Sequence, residues 1–379
     1  MSSIEVQVSL PENEQALSLA ITKMHGLGND FVMLEDIELA KYLAQIQAGD
    51  QTESFLASVS RLARQICNRR TGVGGDGMIV CLATGSIEKL FSSEAAAYFA
   101  AFPELASADL TWLYVNSDGS YSDMCGNGLR CLARFAQLRG YVRESAFRIA
   151  TRVYPVDIRV SLLDTVTTVL FPPQFAPQSV PIDCESEFLA REIAIEGSFL
   201  RATAVSMGNP HIVIFSRSGE HGEGEINWLE YPVDIEGGAT LSGEPGDEKK
   251  HGTLLSLATE IQSMPLFPQG VNVEFALIEN NETVRVYVVE RGCGPTLACA
   301  SGAAAVVAAG VREGLLKRQS RVILPGGTLF VNWLDSEMGD KIELTGPAKF
   351  VFEGHYCFSN SLAIADCKPA CPDSGVSGV

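Results

Sequence analysis

The chain has 379 residues, more than one hydrophobic core usually organises, so its length favours two domains. Hydrophobic residues make up 46% of the composition and charged residues 20%, which is ordinary for a globular protein. A formal net charge of −18 makes the surface repel nucleic acids and anionic membranes, so neither is an expected partner.

The cysteines and the first residues indicate a cytoplasmic protein. Residues 1–20 carry acidic groups and no Lys or Arg, which does not fit a secretory or organellar leader. The 10 cysteines are too dilute for a disulfide scaffold, so we interpret them as reduced thiols. The longest run of low polarity, GAAAVVAAGV, is too short to span a bilayer.

Hydrophobic periodicity predicts an alternation of strands and helices. In chain order, it predicts a strand in EVQVSL (5–10), a helix in LRCLARFAQLRG (129–140), a strand in RVYVVE (285–290), a helix in GAAAVVAAGVREG (302–314) and a strand in KFVFEG (349–354). Turn-forming residues predict a domain boundary at 171–181, a surface loop at 236–252 and a disordered tail at 361–379. Residues 1–20 and 84–110 are interpreted as additions to the core.

An internal repeat organises the chain. The first half contains HGLGNDFV (25–32) and then NSDGSYSDMCGNGLRC (116–131). The second half contains SMGNPHIVIF (206–215) and then ERGCGPTLACASGAAA (290–305). In each half a Gly-Asn pair enters a strand, and a cysteine later opens a helix. The repeat therefore predicts two related α/β domains that face each other across a cleft.

The two repeated cysteines suggest proton transfer. A thiol at a helix N-terminus lies beside unpaired N–H groups at the positive end of the helix dipole, which should lower its pKa. The same N–H groups form an anion site that small neighbouring residues leave open to a carboxylate. If both helices point at one place, Cys125 and Cys299 could remove a proton from one face of a carbon next to that carboxylate and return it to the other face.

Other kinds of site are poorly supported by the sequence. No lysine carries a pyridoxal signature, and GVGGDG (72–77) lacks the context of a phosphate loop, so it is predicted to be a structural turn and no cofactor is expected. Cys131 and Cys293 lie too far along the chain from Cys125 and Cys299 for the usual metal-ligand spacing, so no metal is expected and both are interpreted as core thiols. A redox protein that cycles Cys125 and Cys299 as a disulfide is the alternative from another class.

At these residues the sequence resembles the diaminopimelate epimerase family. The resemblance is carried by KMHGLGNDFV, GVGGDG, VNSDGSYSDMCGNGLRC, VSMGNPHIV, GVNVEF, ERGCGPTLACASGAA and LPGGTL, in that order between Lys23 and about Gly354. It implies an α/β (α+β) fold of two pseudo-symmetric domains, each a curved mixed sheet around a central helix. It also implies a cofactor-independent, cytoplasmic epimerase that interconverts LL- and meso-diaminopimelate in lysine and peptidoglycan biosynthesis. A racemase of another amino acid on the same scaffold is the alternative.

The resemblance also assigns residues to roles. Cys125 and Cys299 match the two acid–base cysteines. The matched substrate-binding positions are Asn29, Asn116, Asn209 and Asn272, chiefly for the distal end of the substrate, Glu290 for its ammonium, Arg291 for a carboxylate, and Gly126, Asn127, Ala300 and Ser301 for the reacting carboxylate through their N–H groups. His211 is a possible base or supporting residue, and a structural role is the alternative for it and for His25.

The resemblance further implies domain boundaries. An N-terminal domain of residues 1–175 would be completed by about 348–360, and the C-terminal domain would span 176–347. The sequence departs from the family pattern at Ala300, where ACA replaces ACG, at Pro295, which removes an N–H group before the site, and in the absence of a T-x-A-G turn after the first helix. The oligomeric state is left open, with a homodimer as one option.

Overall fold

The computed structural model describes residues 17–49, 53–161, 165–195, 197–217, 225–231 and 253–358. The predicted strand at 5–10, loop at 236–252 and tail at 361–379 lie outside the described residues, as does most of 1–20. Within the described residues the strands are β1 Leu17–Gly26, β2 Asn29–Glu35, β3 Gly77–Ala83, β4 Leu110–Asn116, β5 Ala146–Ala150, β6 Val156–Val160, β7 Thr165–Leu170, β8 Arg191–Ile195, β9 Ser198–Ser206, β10 Pro210–Arg217, β11 Asn272–Asn280, β12 Thr283–Glu290, β13 Gly294–Thr296, β14 Gln319–Leu324, β15 Gly327–Trp333, β16 Ile342–Pro347 and β17 Lys349–Phe358.

The α-helices are fewer than the strands. They are α1 Asp36–Gly49, α2 Phe55–Ile66, α3 Ile87–Leu90, α4 Ser93–Ala100, α5 Gly126–Arg139, α6 Leu254–Gln262 and α7 Ala300–Arg312. The predicted strands at 285–290 and 349–354 are confirmed as parts of β12 and β17. The predicted helices at 129–140 and 302–314 are confirmed as α5 and α7, and both begin earlier than predicted, directly after a cysteine.

The strand pairing repeats along the chain. In the first half, β1–β2 is antiparallel, β2–β3 parallel, β3–β4 antiparallel, β4–β5 parallel, and β5–β6 and β6–β7 antiparallel. In the second half, β9–β10, β10–β11, β11–β12, β12–β14, β14–β15 and β15–β16 follow the same sequence of orientations. The two halves therefore share one topology, with α5 or α7 inserted at the equivalent place.

Two further pairings connect the halves. Strand β7 pairs antiparallel with β16, so both halves belong to one continuous sheet. Strand β17 then follows β16 and pairs antiparallel with β1 of the first half. The predicted fold class, a mixed α/β structure of two similar halves around central helices, is confirmed. The domain boundaries 1–175 with 348–360 and 176–347 stay a prediction.

Each central helix is enclosed by its own half of the sheet. Every residue of α7 from Gly302 to Gly310 is buried, as expected for a helix that is apolar all round. These residues are Gly, Ala and Val, whose small side chains allow the strands to approach from several sides. Helix α5 ends at Gly140, whose φ of 77° lies in the left-handed region that favours glycine. Within the described ranges, no helix has the length and apolarity to cross a membrane.

Candidate active site

Each central helix begins at a cysteine. Cys125 and Cys299 are the N-caps of α5 and α7, with extended backbones at φ −150° and −118°. Each Sγ accepts a hydrogen bond at 3.4 Å from the N–H group three residues on, Gly128 or Gly302. The sulfur takes the place that a Ser or Asp oxygen usually has in a helix cap, so it lies against the unpaired N–H groups of the first turn.

The starts of the two helices are in contact. A Cβ atom added to Gly126 would lie only 2.6 Å from the Cβ of Ala300. Across the same junction, Asn127 Nδ2 donates a hydrogen bond to the Ala298 carbonyl oxygen at 3.0 Å. The backbone of Gly126 is not in the left-handed region, so the close approach of the partner helix, not φ, favours glycine here. The fold thus brings the two cysteine-bearing helix ends together.

A cavity of about 640 Å³ opens beside this junction. Its size lies within the range of small-molecule sites. Four of the predicted site residues line it, namely Cys125, Asn29, Asn116 and Glu290. Further lining residues are Gly28, Arg69, Asp76, Tyr114, Ser117, Asp118, Ser122, Met124, Cys293, Pro295, Thr296, Leu297 and Ala298. The other predicted site residues in the described part of the chain are not among the lining residues: Cys299, Gly126, Asn127, Ala300, Ser301, Asn209, His211, Asn272 and Arg291.

Glu290 connects the cavity to both thiols. Its carboxylate accepts a hydrogen bond from Thr296 Oγ1 at 2.7 Å. Burial raises its pKa, and hydrogen bonds from Thr296 and Cys299 oppose that rise. Glu290 in turn affects the thiols. Burial raises the pKa of Cys125 and of Cys299, and the negative charge of Glu290 raises both further. A single carboxylate therefore acts on both candidate acid–base groups.

The thiol pKa values differ from the sequence prediction. Burial raises the pKa of Cys125 to about 11, although the N–H groups of Gly128 and Asn127 lower it. Burial likewise raises the pKa of Cys299 well above its ordinary value. The predicted lowering is wrong for this structure because a thiolate taken out of water loses more hydration energy than the first-turn N–H groups return. Both thiols are therefore protonated at neutral pH.

This pKa makes a testable prediction for alkylation. Iodoacetamide reacts with the thiolate, so the rate at Cys125 should rise about tenfold per pH unit from neutral pH to about pH 10. Mass spectrometry of the peptide that contains Cys125 measures the rate. Free cysteine is the control, and its rate should level off above about pH 8.5. A plateau for Cys125 below about pH 9 would contradict the raised pKa.

Asn29 is held by a polar network that reaches Cys125. Its Nδ2 donates to Asp76 Oδ2 at 2.6 Å, and Asp76 Oδ1 pairs with Arg69 Nη2 at 2.7 Å. Its Oδ1 accepts from Asn127 Nδ2 at 3.4 Å and faces Cys125 Sγ at 3.7 Å. Asp76 belongs to the turn GVGGDG, so this turn also supplies a carboxylate that orients Asn29.

A second polar chain leads to Cys299. His211 and Glu274 are fully buried, and His211 Nδ1 lies 2.6 Å from Glu274 Oε1. His211 Nε2 lies 3.0 Å from Asn209 Oδ1, and Asn209 Nδ2 donates to Ser301 Oγ at 3.4 Å. Ser301 Oγ in turn lies 3.4 Å from Cys299 Sγ. His211 is thus connected to the thiol through two polar residues and does not itself line the cavity.

Asn272 and Arg291 lie outside the cavity lining and are in contact with each other. Asn272 Nδ2 donates to the Pro210 carbonyl at 2.9 Å, and its Oδ1 accepts from the Arg291 backbone N–H at 2.9 Å. The Arg291 side chain is exposed, and its Nη1 donates to the Gln269 carbonyl at 2.6 Å. The Asn272 amide therefore joins two backbone segments and fixes the position of Arg291.

The remaining thiols divide into two kinds. Cys131 is fully buried in α5, in agreement with its interpretation as a core thiol. Cys293 is exposed and lines the cavity, so the same interpretation is wrong for Cys293. The loop between β12 and β13 carries it outward. In the described part of the chain, no group of three or more His, Cys, Asp and Glu residues is placed to hold a metal ion.

Several charged residues near the site were not predicted from the sequence, among them Arg69 and Asp118 of the cavity lining and the three described next. Asp76 orients Asn29, Glu274 pairs with His211, and Arg130 binds Asn127 from within α5. A signal was available for two of them. Glu274 interrupts the apolar run of a strand, and Arg130 stands between the apolar residues Leu129 and Cys131. A charged residue in such a position needs a buried partner.

Comparison with known sequences gives a family. The family model for diaminopimelate epimerase matches residues 21–166 and 246–351. The diaminopimelate epimerase of Carboxydothermus hydrogenoformans is 34% identical over 334 residues, which cover 88% of this chain and 98% of that protein. The diaminopimelate epimerase of Desulfitobacterium hafniense is 33% identical, with 89% and 97% covered.

Solved structures share the fold at low identity. A hydroxyproline epimerase from Agrobacterium vitis superposes with a TM-score of 0.52 at 14% identity and covers 92% of this chain and 95% of its own. A methylitaconate-delta-isomerase gives 0.51 at 11% identity, with 93% and 98% covered. The repeated halves, the paired helix ends and the sequence matches together define an isomerase of the epimerase type. The chain belongs to the diaminopimelate epimerase family.

Proposed function

We propose that this protein interconverts LL-2,6-diaminopimelate and meso-diaminopimelate by moving the α-proton between Cys125 and Cys299. The observation that carries the proposal is the contact between two helix starts, at Gly126 and Ala300, each directly after a cysteine and beside a cavity. The names of the relatives support diaminopimelate as the substrate. The same relationship supports a place in cytoplasmic lysine and peptidoglycan precursor biosynthesis.

The reacting carboxylate binds at the two helix starts. The first N–H groups of an α-helix have no partner within the helix, and here they belong to Gly126 and Asn127 on one side and Ala300 and Ser301 on the other. Both helix dipoles place positive charge at this point. As the α-proton leaves, negative charge moves onto the carboxylate, and fixed N–H donors stabilise it without reorganisation.

Proton transfer uses one thiolate and one thiol. The thiolate sulfur takes the α-proton as the C–H bond breaks, and the opposite thiol gives its proton to the other face of the carbon. The carbon is inverted, no electrons are gained or lost, and the two cysteines have exchanged protonation states. The return reaction uses them in reversed roles. The balance requires no cofactor.

Glu290 links substrate binding to thiol ionisation. Its carboxylate lines the cavity and raises the pKa of both thiols. We assign it to the substrate ammonium, whose positive charge would neutralise this effect at close range. One thiol can then ionise in the complex although both are protonated without substrate. Binding of a correctly placed amino group thus prepares the base.

The distal end of the substrate meets residues from both halves. Asn29 and Asn116 line the cavity, and we assign Asn209, Asn272 and Arg291 to the same end from the other side. The proposed domains, 1–175 with 348–360 and 176–347, carry these two groups on opposite sides of a cleft. Arg291 Nη1 has to leave the Gln269 carbonyl to bind a carboxylate. His211 supports Cys299 through Asn209 and Ser301.

The decisive test is proton exchange in D₂O. With LL-diaminopimelate and fully reduced protein, we expect the α-proton NMR signal to disappear while the meso isomer forms. Histidine, glutamate and alanine are the comparison substrates. They lack the distal zwitterion and would leave buried polar groups unpaired, so we expect kcat/KM to be at least about 100-fold lower. If one of them equals diaminopimelate, the protein is a racemase of that amino acid, and if no exchange occurs, the proposed reaction is wrong.

A further inference from the structure

Arg130 is a fully buried cation that the proposed proton transfer does not use. It lies on α5, one turn after Cys125, with none of its side chain exposed. Its Nη2 donates to Asn127 Oδ1 at 2.5 Å, its Nη1 to the Gly126 carbonyl at 3.3 Å and its Nε to the Pro347 carbonyl at 3.4 Å. All three acceptors are neutral. None of the ion pairs in the described residues includes Arg130.

The guanidinium occupies a slot formed by two glycines. A Cβ on Gly26 of β1 would lie 3.3 Å from Arg130 Nη2. A Cβ on Gly346 of β16 would lie 2.4 Å from Leu329 Cδ2 and 3.2 Å from Arg130 Nε. Both distances to the guanidinium are tighter than ordinary contacts, so a side chain at either position would press on it, and at Gly346 on Leu329 as well. The slot lies where β16, β1 and α5 meet, which is also where the two halves of the protein are joined.

The electrostatic surroundings of Arg130 point to an anion. A buried charge without a counterion is costly, and neutral carbonyls compensate it only in part. Burial lowers its pKa to about 10, and among the described residues a thiolate at Cys131 or at Cys125 would oppose that change. In turn, the charge of Arg130 lowers the pKa of Cys125. A negative charge on Cys125, or on a carboxylate at the start of α5, would therefore be stabilised by Arg130.

We propose that Arg130 is a positioning residue of the active site, one that holds the first turn of α5 and favours an anion there. It fixes the amide of Asn127, which also donates to Ala298 across the junction and to Asn29. It acts through these groups and does not touch the substrate. This inference deepens the proposed epimerase function and rests on it for the identity of the anion, a thiolate or the substrate carboxylate.

The other charged or titratable groups that face Cys125 do not replace Arg130. Glu290 of β12 opposes it because a negative charge raises the thiol pKa. Tyr114 of β4 keeps its proton, since burial raises its pKa far above the ordinary range. Besides Arg130, the N–H groups of Gly128 and Asn127 favour the thiolate. Arg69 lines the same cavity, but its charge is paired with Asp30 and Asp76.

The test compares Arg130→Met, Arg130→Lys and the control Arg139→Met. Arg139 is on the same helix, about 20 Å along the axis from Cys125, and forms ion pairs with Glu35 and Glu353. Iodoacetamide alkylation of Cys125 at about pH 9 reports the thiolate fraction without any substrate. We expect Arg130→Met to slow it at least about threefold, which corresponds to about half a pKa unit. Arg130→Lys and Arg139→Met should leave it within about twofold.

The second readout is kcat/KM for diaminopimelate. We expect kcat/KM to fall about tenfold or more in both Arg130 variants. Lys keeps the positive charge but lacks the planar guanidinium that donates to three acceptors at once. An unchanged alkylation rate or an unchanged kcat/KM in folded Arg130→Met overturns the proposal. If Arg130→Met does not fold, Arg130→Lys decides, and an unchanged kcat/KM in that variant overturns it. Because alkylation needs no substrate, failure of the epimerase proposal would show separately, as absent exchange in D₂O.

Discussion

Alanine at position 125 or 299 is expected to abolish epimerisation and to leave the fold intact. Each inversion needs a proton acceptor on one face and a donor on the other, and alanine removes one of them. We expect kcat/KM for diaminopimelate to fall by at least about 10³-fold in each single variant. The loss of the thiol cap on Gly128 or Gly302 should cost only about 1 kcal/mol of stability. Thermal unfolding and steady-state kinetics measure the two effects.

Two other cysteines provide matched controls for this prediction. Cys131→Ala removes a fully buried sulfur from the same helix, so it should lower stability by about 1 kcal/mol and leave kcat/KM nearly unchanged. Cys293→Ala removes an exposed thiol from the same cavity and tests whether any thiol there can act as the base. Turnover within tenfold of wild type in either Cys125→Ala or Cys299→Ala would refute the two-thiol mechanism.

The division into two similar halves could be inferred from the sequence because its repeat is local. A Gly-Asn pair followed by a strand, and a cysteine followed by small residues and a helix, each depend on neighbours along the chain. The structure places Asn29 at the start of β2 and Asn209 just before β10, with Cys125 and Cys299 as equivalent helix caps. Strand pairing then repeats around these points.

The pKa values of the thiols and the partners of the buried charged residues could not be inferred in the same way. The helix-end effect on a thiol is local, and it predicts a lowered pKa. The burial of Cys125 depends on how the two halves pack, and it raises the pKa of this thiol instead of lowering it. Arg130 is bound by the Pro347 carbonyl, far along the chain, and Glu274 by His211 of another strand. These contacts follow from tertiary structure, and a single sequence shows only that a charged residue stands in an apolar segment.

Gly126→Ala is expected to produce the second large loss of activity. The new Cβ would lie 2.6 Å from the Cβ of Ala300, whereas carbon atoms normally remain about 3.5–4.0 Å apart. The starts of α5 and α7 would have to separate by about 1 Å, which costs about 1–3 kcal/mol of stability. Because both thiols and the N–H groups that we propose bind the carboxylate belong to these helix starts, we expect kcat/KM to fall about 100-fold.

The double variant Gly126→Ala/Ala300→Gly separates the contact from other effects of the new methyl group. It moves the methyl from one helix to the other and nearly conserves the packed volume, so the helices can return to their original separation. We expect it to recover to within about tenfold of wild-type kcat/KM. Ala300→Gly alone should have a small effect, at most about 1 kcal/mol on stability, because it removes a methyl group and leaves the N–H in place. If the double variant is no more active than Gly126→Ala, the spacing of the two helix starts does not control the reaction. Recovery would show that both halves of the repeat act on one substrate carbon only at this separation.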